Sequence, residues 1–131
     1  MKKLVIVGCG RLAGIVSDAV VNGLLPEYDL VGVYSRTAEK AERIVAKMQQ
    51  HGKTCMACTT IEDLLALKPD YLVEAASPAA MKEFALPALK NGTSIVTLSI
   101  GALADTAFYQ EVMKTAQANG TRVYIVSGAT G

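Results

Sequence analysis

Residues 4–14, LVIVGCGRLAG, decide the fold of this chain. A strand is predicted over Lys3 to Val7, because its apolar, largely β-branched residues are typical of a strand buried on both faces of a parallel sheet. Gly8-Cys9-Gly10 ends the strand, and a helix is predicted from Arg11 to about Asn22. The apolar stripe expected to face the sheet consists of Leu12, Ile15, Val16 and Ala19.

The alternation of strand and helix continues to the end of the chain. Further strands are predicted at Tyr28–Tyr34, Thr54–Ala57, Tyr71–Ala75, Ser94–Leu98 and Arg122–Val126. The helices between them are predicted from Thr37 to about Gln50, after Thr60, from Ser77 to Asn91-Gly92, and from Asp105 to Asn119. Pro87 should kink or break its helix. This order predicts an α/β fold, a doubly wound parallel (Rossmann) sheet of about six strands with helices on both faces.

Composition limits the class of protein. The chain has 131 residues, 51% hydrophobic and 19% charged, with a net charge of +1. These values predict one domain with a proper core, over residues 1–131, and exclude a disordered chain. No basic stripe suggests nucleic acid, and no segment is long enough to span a membrane. The opening MKKLVIVGC resembles a lipoprotein export signal, but its apolar run is too short, so we expect a soluble, cytoplasmic protein.

The cysteines and the single histidine are weak candidates for chemistry. Cys55 and Cys58 form a C-x-x-C pair inside a strand-like stretch, where neither a redox motif nor a four-ligand zinc site is expected. We expect reduced thiols, since no export signal precedes them. His51 stands at the far end of the second helix, remote from the strand ends, and is interpreted as a solvated residue. The sequence therefore predicts no catalytic residue and no metal site in this chain.

The glycine loop carries the main functional prediction. Gly8 to Ala13 fits the pattern G-x-G-x-x-G/A directly after a strand and at the start of a helix, which is the context of dinucleotide binding. Gly8 permits the tight turn, and Gly10 leaves room for a pyrophosphate. The helix N-terminus at Arg11 and Leu12 supplies N–H donors, and Cys9 lies within the loop. The alternative is that the glycines only make a sharp turn.

The end of the second strand differs from the usual NAD pattern. Ser35-Arg36-Thr37 stands where an acid commonly accepts hydrogen bonds from the ribose hydroxyls. Hydroxyl donors and a guanidinium suit a 2′-phosphate, with Lys40 one helical turn further on. NADP is therefore the preferred cofactor, with NAD as the alternative; on the other interpretation Arg36 is only a solvated charge and the site accepts either coenzyme.

Five segments together carry a family resemblance. They are GCGRLAG, VGVYSR, VEAASP, LSIGALAD and YIVSGATG, in this order and spacing. The chain resembles the amino-terminal half of the L-aspartate dehydrogenase family, whose wider relatives include homoserine dehydrogenase. The resemblance implies NAD(P)-dependent oxidative deamination of aspartate, through iminoaspartate, to oxaloacetate and ammonia. It also implies a second, substrate-binding domain with a catalytic histidine, which would follow Gly131.

The resemblance also adds cofactor-binding residues. Fold position and family likeness place the loop Ala76-Ser77-Pro78 against the coenzyme, although Ser77 could equally cap its helix. Ala129 carries over as a backbone contact near the nicotinamide. Glu74 either binds a ligand directly or satisfies nearby backbone donors.

Two departures from the family pattern leave the function open. Ser35 replaces an acid that many relatives carry, and the chain ends where the second domain should begin, so this chain alone is expected to bind coenzyme without turnover. The alternatives are a free-standing nucleotide-binding module with a regulatory or redox-sensing role, and the coenzyme domain of a homoserine dehydrogenase-like enzyme. Substrate identity and oligomeric state, including a homo-oligomer, are not determined by the sequence.

Overall fold

A six-stranded, all-parallel sheet forms the centre of the molecule, in a computed structural model that describes residues 1–97 and 100–126 and, of Ile100, the backbone alone. The strands are Lys2–Val7 (β1), Tyr28–Tyr34 (β2), Met56–Cys58 (β3), Tyr71–Glu74 (β4), Ser94–Thr97 (β5) and Val123–Ile125 (β6). Their order across the sheet is β3-β2-β1-β4-β5-β6, so the chain builds the sheet outward in one direction from β1 to β3 and in the opposite direction from β4 to β6. The predicted doubly wound sheet is confirmed.

The helices lie on both faces of the sheet. They are Arg11–Val21 (α1), Ala38–Gln50 (α2), Ile61–Ala66 (α3), Pro78–Lys90 (α4), Ile100–Leu103 (α5) and Thr106–Ala118 (α6). Side chains from α1 and α2 pack on β1 and β2 in one core, around Ile6, Leu30 and Met48. Those of α3, α4 and α6 pack on the opposite face, around Leu72, Phe84 and Ile95.

The pairing of β1 with β2 contains an irregularity that brings a helix close to the sheet. The register shifts between Leu4 and Val5, so that Leu4 lies opposite Leu30 and Val5 opposite Gly32. A Cβ at Gly32 would lie 2.5 Å from the Cδ1 of Leu67 at the end of α3. A larger residue at position 32 would therefore displace the Leu67 side chain, and glycine leaves room for the end of α3 to pack against β2.

The orientation predicted for α1 is wrong. Its buried residues are Ala13, Ser17 and Val20, whereas Ile15 is 54% exposed. Small side chains allow α1 to approach the sheet closely. On the same side of α1, Lys47 of α2 donates hydrogen bonds of 2.8 Å to the Ser17 hydroxyl and to the Asp18 carboxylate. Of the apolar stripe that was expected to face the sheet, Val16 is partly buried against this core, whereas Ile15 is exposed.

Three other local predictions need correction. Helix α4 continues through Pro87 without a break, ending at Lys90. Strand β3 begins two residues later than expected, at Met56. No element was predicted between the strand ending at Leu98 and the helix from Asp105, but Ile100–Leu103 form the short helix α5, which packs near α4 and α6.

Within residues 1–97 and 100–126, none of the helices has both the length and the apolar character needed to cross a membrane.

Candidate functional site

A crevice opens at the carboxyl ends of the strands, on either side of the point where the strand order reverses. Its volume is about 390 Å³. It is lined by three loops, after β1, β2 and β4, and by one side of α4; the lining residues are Val7, Gly8, Cys9, Gly10, Tyr34, Ser35, Arg36, Thr37, Lys40, Ala75, Ala76, Ser77, Ala80, Glu83 and Phe84. In open parallel sheets this is the position at which ligands bind.

The loop after β1 is shaped by backbone contacts with its two neighbours. The Gly8 amide donates to the Tyr34 carbonyl at 2.8 Å, and the Ala75 amide donates to the Val7 carbonyl at 3.0 Å. Gly8 has a φ of +98°, and a Cβ there would lie 3.0 Å from the Cβ of Ala76. The turn therefore needs glycine for two independent reasons, conformation and space.

The helices of the sheet differ in how their N-termini are capped. Thr60, Ser77 and Asp105 each accept a backbone N–H through the side chain at the starts of α3, α4 and α6. Among the described residues, no side chain caps α1 at Gly10, and Thr37 does not cap α2 with its own hydroxyl. Free N–H donors at these two helix starts can serve an anion.

Cationic side chains stand at the β2 end of the crevice. Arg36 and Lys40 are both exposed and both line it, and the Ser35 hydroxyl accepts the Thr37 amide at 3.2 Å. Glu83 of α4 is the acidic residue among the lining side chains. The arrangement is electrostatically suited to a phosphate next to the start of α2.

Glu74, at the end of β4, is fully buried and directed toward its own loop. One carboxylate oxygen, Oε2, accepts the amides of Ala76 and Ser77 at 2.8 and 2.9 Å, and the other, Oε1, accepts the Thr97 hydroxyl at 2.7 Å. The interpretation that Glu74 satisfies local backbone donors is therefore confirmed. Its role in the crevice is to hold the loop that presses against Gly8.

The thiol of Cys9 lies between the first two loops. Its Sγ donates to the Tyr34 carbonyl at 3.7 Å. Burial raises the pKa of this thiol above its ordinary value, although a hydrogen bond with Ser35 and the charge of Lys40 oppose the shift. The protonated form is therefore favoured, and Cys9 acts as a small, weakly polar packing residue.

Most of the predicted cofactor-binding residues line this one crevice. They are Gly8, Cys9, Gly10, Ser35, Arg36, Thr37, Ala76 and Ser77. Arg11 is exposed at the first position of α1, Pro78 occupies the first position of α4, and the side chain of Leu12 lines a different, apolar groove. Ala129 lies outside the described residues.

Sequence reasoning missed the apolar floor of the crevice. Tyr34 and Phe84 meet edge to face with ring centroids 4.9 Å apart, and Ala80 lies one turn before Phe84 on α4. The spacing of Ser77, Ala80 and Phe84 places them on one side of the helix, which was the available signal.

The remaining chemical candidates lie away from the crevice. His51 ends α2, where its Nδ1–H donates to the Lys47 carbonyl at 2.9 Å. The three cysteines are free thiols. Burial, followed by the proximity of Cys58, raises the pKa of Cys55 to about 12, and burial and Asp63 raise that of Cys58. In the described part of the chain, His, Cys, Asp and Glu side chains form no group of three suited to a metal.

Known proteins resemble this chain in sequence over nearly its whole length. The family model described as "Homoserine dehydrogenase, NAD binding domain" matches residues 8–126. The L-aspartate dehydrogenase of Methanocaldococcus jannaschii is 34% identical over 135 residues, covering 100% of this chain and 47% of that protein. That of Methanococcus maripaludis is 30% identical over 129 residues, covering 98% and 46%. The chain thus spans about half the length of the curated relatives it matches.

Solved structures show the same fold at low sequence identity. Aspartate dehydrogenase from Thermotoga maritima has a TM-score of 0.68 at 21% identity, covering 98% of this chain and 47% of that chain. The WlbA dehydrogenase from Bordetella pertussis, solved in complex with NADH and UDP-GlcNAcA, has a TM-score of 0.77 at 19% identity, covering 95% and 34%.

Proposed function

Because this chain belongs to the family of homoserine dehydrogenase NAD-binding domains, we propose that it is the coenzyme-binding part of an NAD(P)-dependent oxidoreductase of the L-aspartate dehydrogenase type. The coenzyme's pyrophosphate would lie at the start of α1, beside Gly8 and Gly10. The adenosine ribose would meet Ser35-Arg36-Thr37, and the loop Ala76-Ser77-Pro78 would lie against the nicotinamide half. Arg11 and Leu12 would contribute their backbone amides, and Ala129 a backbone contact near the nicotinamide.

One observation carries this proposal. Of the five helices whose N-terminal caps lie in the described part of the chain, α1 and α2 have no side-chain cap of their own, and both open into the same crevice, whereas α3, α4 and α6 are capped by Thr60, Ser77 and Asp105. A dinucleotide has anionic groups that suit such positions, and glycine at the first of them lets its backbone approach closely.

The proposal is tested by coenzyme titration of matched glycine variants. A Cβ at Gly10 or at Gly14 would meet no other described atom within 4 Å beyond its chain neighbours, so both Gly10→Ala and Gly14→Ala should fold. Gly10 lines the crevice and Gly14 does not. Gly10→Ala should lower the affinity for NADPH and NADH about tenfold or more, equivalent to about 1.4 kcal/mol, while Gly14→Ala keeps wild-type affinity. Equal binding by both variants, or no binding by the wild type, would contradict the proposal.

The charge at the β2 end supports NADP rather than NAD as the coenzyme. Arg36 and Lys40 face a position where a 2′-phosphate would gain charge-assisted hydrogen bonds, and an acid that would repel it is replaced by Ser35. Titration of the wild type with NADP+ and NAD+ side by side should give tighter binding of NADP+.

The substrate of the complete enzyme would be aspartate, bound by residues beyond this chain. Similarity to L-aspartate dehydrogenases supports this substrate, and the family description leaves homoserine as the second candidate. The 131-residue chain should therefore bind coenzyme but not oxidise aspartate; turnover of aspartate by this chain would overturn the two-part mechanism. The alternative function, a free-standing regulatory module, is distinguished from the enzyme domain by reading the coding sequence past codon 131. A cytoplasmic location stays a prediction.

A further inference from the structure

The crevice has two walls of opposite charge. Arg36 and Lys40, at the end of β2 and the start of α2, line one of them. The other wall is the second turn of α4, where Glu83 lines the crevice together with Ala80 and Phe84. A ligand in the crevice therefore meets cations on one side and a carboxylate on the other.

The carboxylate of Glu83 has no partner among the described residues. Lys82, its neighbour in the chain, pairs instead with Asp105 at 3.0 Å. The residues three and four positions away from Glu83 on α4 are alanine, leucine and proline, so its own helix supplies no cation. Arg36 and Lys40 line the same crevice without forming an ion pair with it. Glu83 is therefore available to accept a hydrogen bond from a ligand.

The floor between the two walls suits a flat aromatic group. The rings of Tyr34 and Phe84 form it, with centroids 4.9 Å apart. A phosphate is attracted by the cations of α2 and repelled by Glu83, so the charges of the walls orient an adenosine group. Its phosphates lie toward α2, and its base lies over the aromatic floor toward α4.

We propose that Glu83 selects the base of the coenzyme by accepting a hydrogen bond from the exocyclic amino group of adenine. This inference rests on the proposed function, because it takes the crevice as the coenzyme site. An ionised carboxylate accepts hydrogen bonds and cannot donate them. Hypoxanthine has a carbonyl oxygen in place of the amino group of adenine, and a carboxylate repels that oxygen. Glu83 thus favours adenine dinucleotides over their hypoxanthine analogues.

Titration with coenzymes that differ in the base tests the inference. In calorimetric titration, the wild-type chain should bind NADP+ about tenfold or more tightly than its hypoxanthine analogue, the value of one charge-assisted hydrogen bond. Glu83 is exposed, so Glu83→Gln should fold. Its ratio should fall to within about threefold, because an amide can accept from the amino group or donate to the carbonyl.

Two controls separate a contact with the base from a general effect of charge. Glu111→Gln removes the same charge from an exposed position of α6 outside the crevice and should keep the wild-type ratio. NAD+ and its hypoxanthine analogue should give the same ratios as the NADP+ pair, because the base and the 2′-phosphate meet different walls.

Other outcomes overturn the inference. Equal binding of the two bases by the wild type, or a ratio that Glu83→Gln leaves unchanged, would show that Glu83 does not contact the base. An equal gain in affinity for both coenzymes in Glu83→Gln would show that Glu83 only repels the phosphates. In each of these cases the coenzyme still binds and the proposed function stands. Failure of the wild type to bind any of the four dinucleotides would refute the proposed function, and this inference with it.

Discussion

The loops after β1 and β2 face one crevice and both lead into helices that begin without a side-chain cap of their own, yet they are built differently. The first loop is defined by backbone: Gly8 has a φ of +98° and packs against Ala76. The second presents side chains, with Arg36 and Lys40 exposed to solvent. The first loop is thus fixed by the shape of its backbone, whereas the second is defined by the charge of its side chains.

The largest effect should follow from breaking the shape of the first loop. Gly8→Ala would force a side chain into a left-handed backbone conformation and place its Cβ about 3.0 Å from Ala76. We expect a loss of about 1–3 kcal/mol in the free energy of unfolding, measured by urea denaturation. Affinity for NADPH and NADH should fall together by more than tenfold in a fluorescence titration, because the pyrophosphate position is displaced.

The distinction between the two loops would be refuted if Gly8→Ala changed the affinity for only one of the two coenzymes. A selective effect would mean that the first loop also discriminates the adenosine end. Gly14→Ala, in the helix that follows, is the matched control and should keep both affinities.

The second loop should change selectivity without changing stability. Arg36→Asp removes a guanidinium from the β2 end of the crevice and adds a charge that repels phosphate. Affinity for NADP+ should fall roughly 10- to 100-fold, the value of one or two charge-assisted hydrogen bonds, while NAD+ affinity is kept or rises. Calorimetric titration with both coenzymes measures the change.

Arg43→Asp is the matched control for charge. Arg43 is exposed on α2, the helix that follows the loop of Arg36, and does not line the crevice. Its variant therefore has the same change of net charge without a contact in the crevice. Equal losses in the two variants would show a long-range effect of charge and no contact with a 2′-phosphate. Unchanged NADP+ binding by Arg36→Asp would show that Arg36 is only a solvated charge and does not contact the coenzyme.

The sequence predicted the structure best at turns and helix starts, where local backbone geometry determines the residue type. Gly8 and Gly10 after an apolar strand predicted the turn, and Thr60, Ser77 and Asp105 predicted the starts of their helices, because a cap and a glycine turn depend on local geometry. The all-parallel sheet followed from the alternation of strand and helix.

Long-range packing was not predictable in the same way. The apolar stripe of α1 was predicted to be its buried face, but Ala13, Ser17 and Val20 are the buried residues. The periodicity of apolar residues does not show which small or polar side chains a close packing contact buries. Phe84 and Tyr34 are far apart in the sequence, so no local pattern predicts that their rings meet. Pro87 stays within α4 because tertiary packing can retain a helix that loses one hydrogen bond.

Glu74 allows a finer test, because its carboxylate holds the loop of Ala76 and Ser77 that packs against Gly8 of the first loop. Glu74→Gln keeps an oxygen for the amides of Ala76 and Ser77 but removes the charge that strengthens those hydrogen bonds. We expect affinity for both coenzymes to fall by about fivefold, or about 1 kcal/mol, with the NADP+ to NAD+ ratio unchanged. A changed ratio would mean that the carboxylate acts on the adenosine end.

Cys9 joins the two loops and should give the smallest effect on binding. Its thiol belongs to the first loop and donates to the Tyr34 carbonyl at the end of β2, so Cys9→Ser, which keeps a donor, should leave coenzyme affinity within twofold. The raised pKa of the thiol predicts that iodoacetamide labelling of Cys9 keeps increasing about tenfold per pH unit beyond 9.0, the ordinary value, with protection by bound coenzyme.

The same shift predicts how stability depends on pH. Because the unfolded chain ionises this thiol at a lower pH than the folded chain does, its contribution to the free energy of unfolding is complete below pH 9.0 and declines as pH rises above it. Cys55, whose pKa is raised to about 12, is an internal reference and should stay unlabelled throughout this range. If Cys9 labelling levels off below pH 9.0, the thiol is not held in its protonated form, and the contact between the two loops is looser than the hydrogen bond to Tyr34 implies.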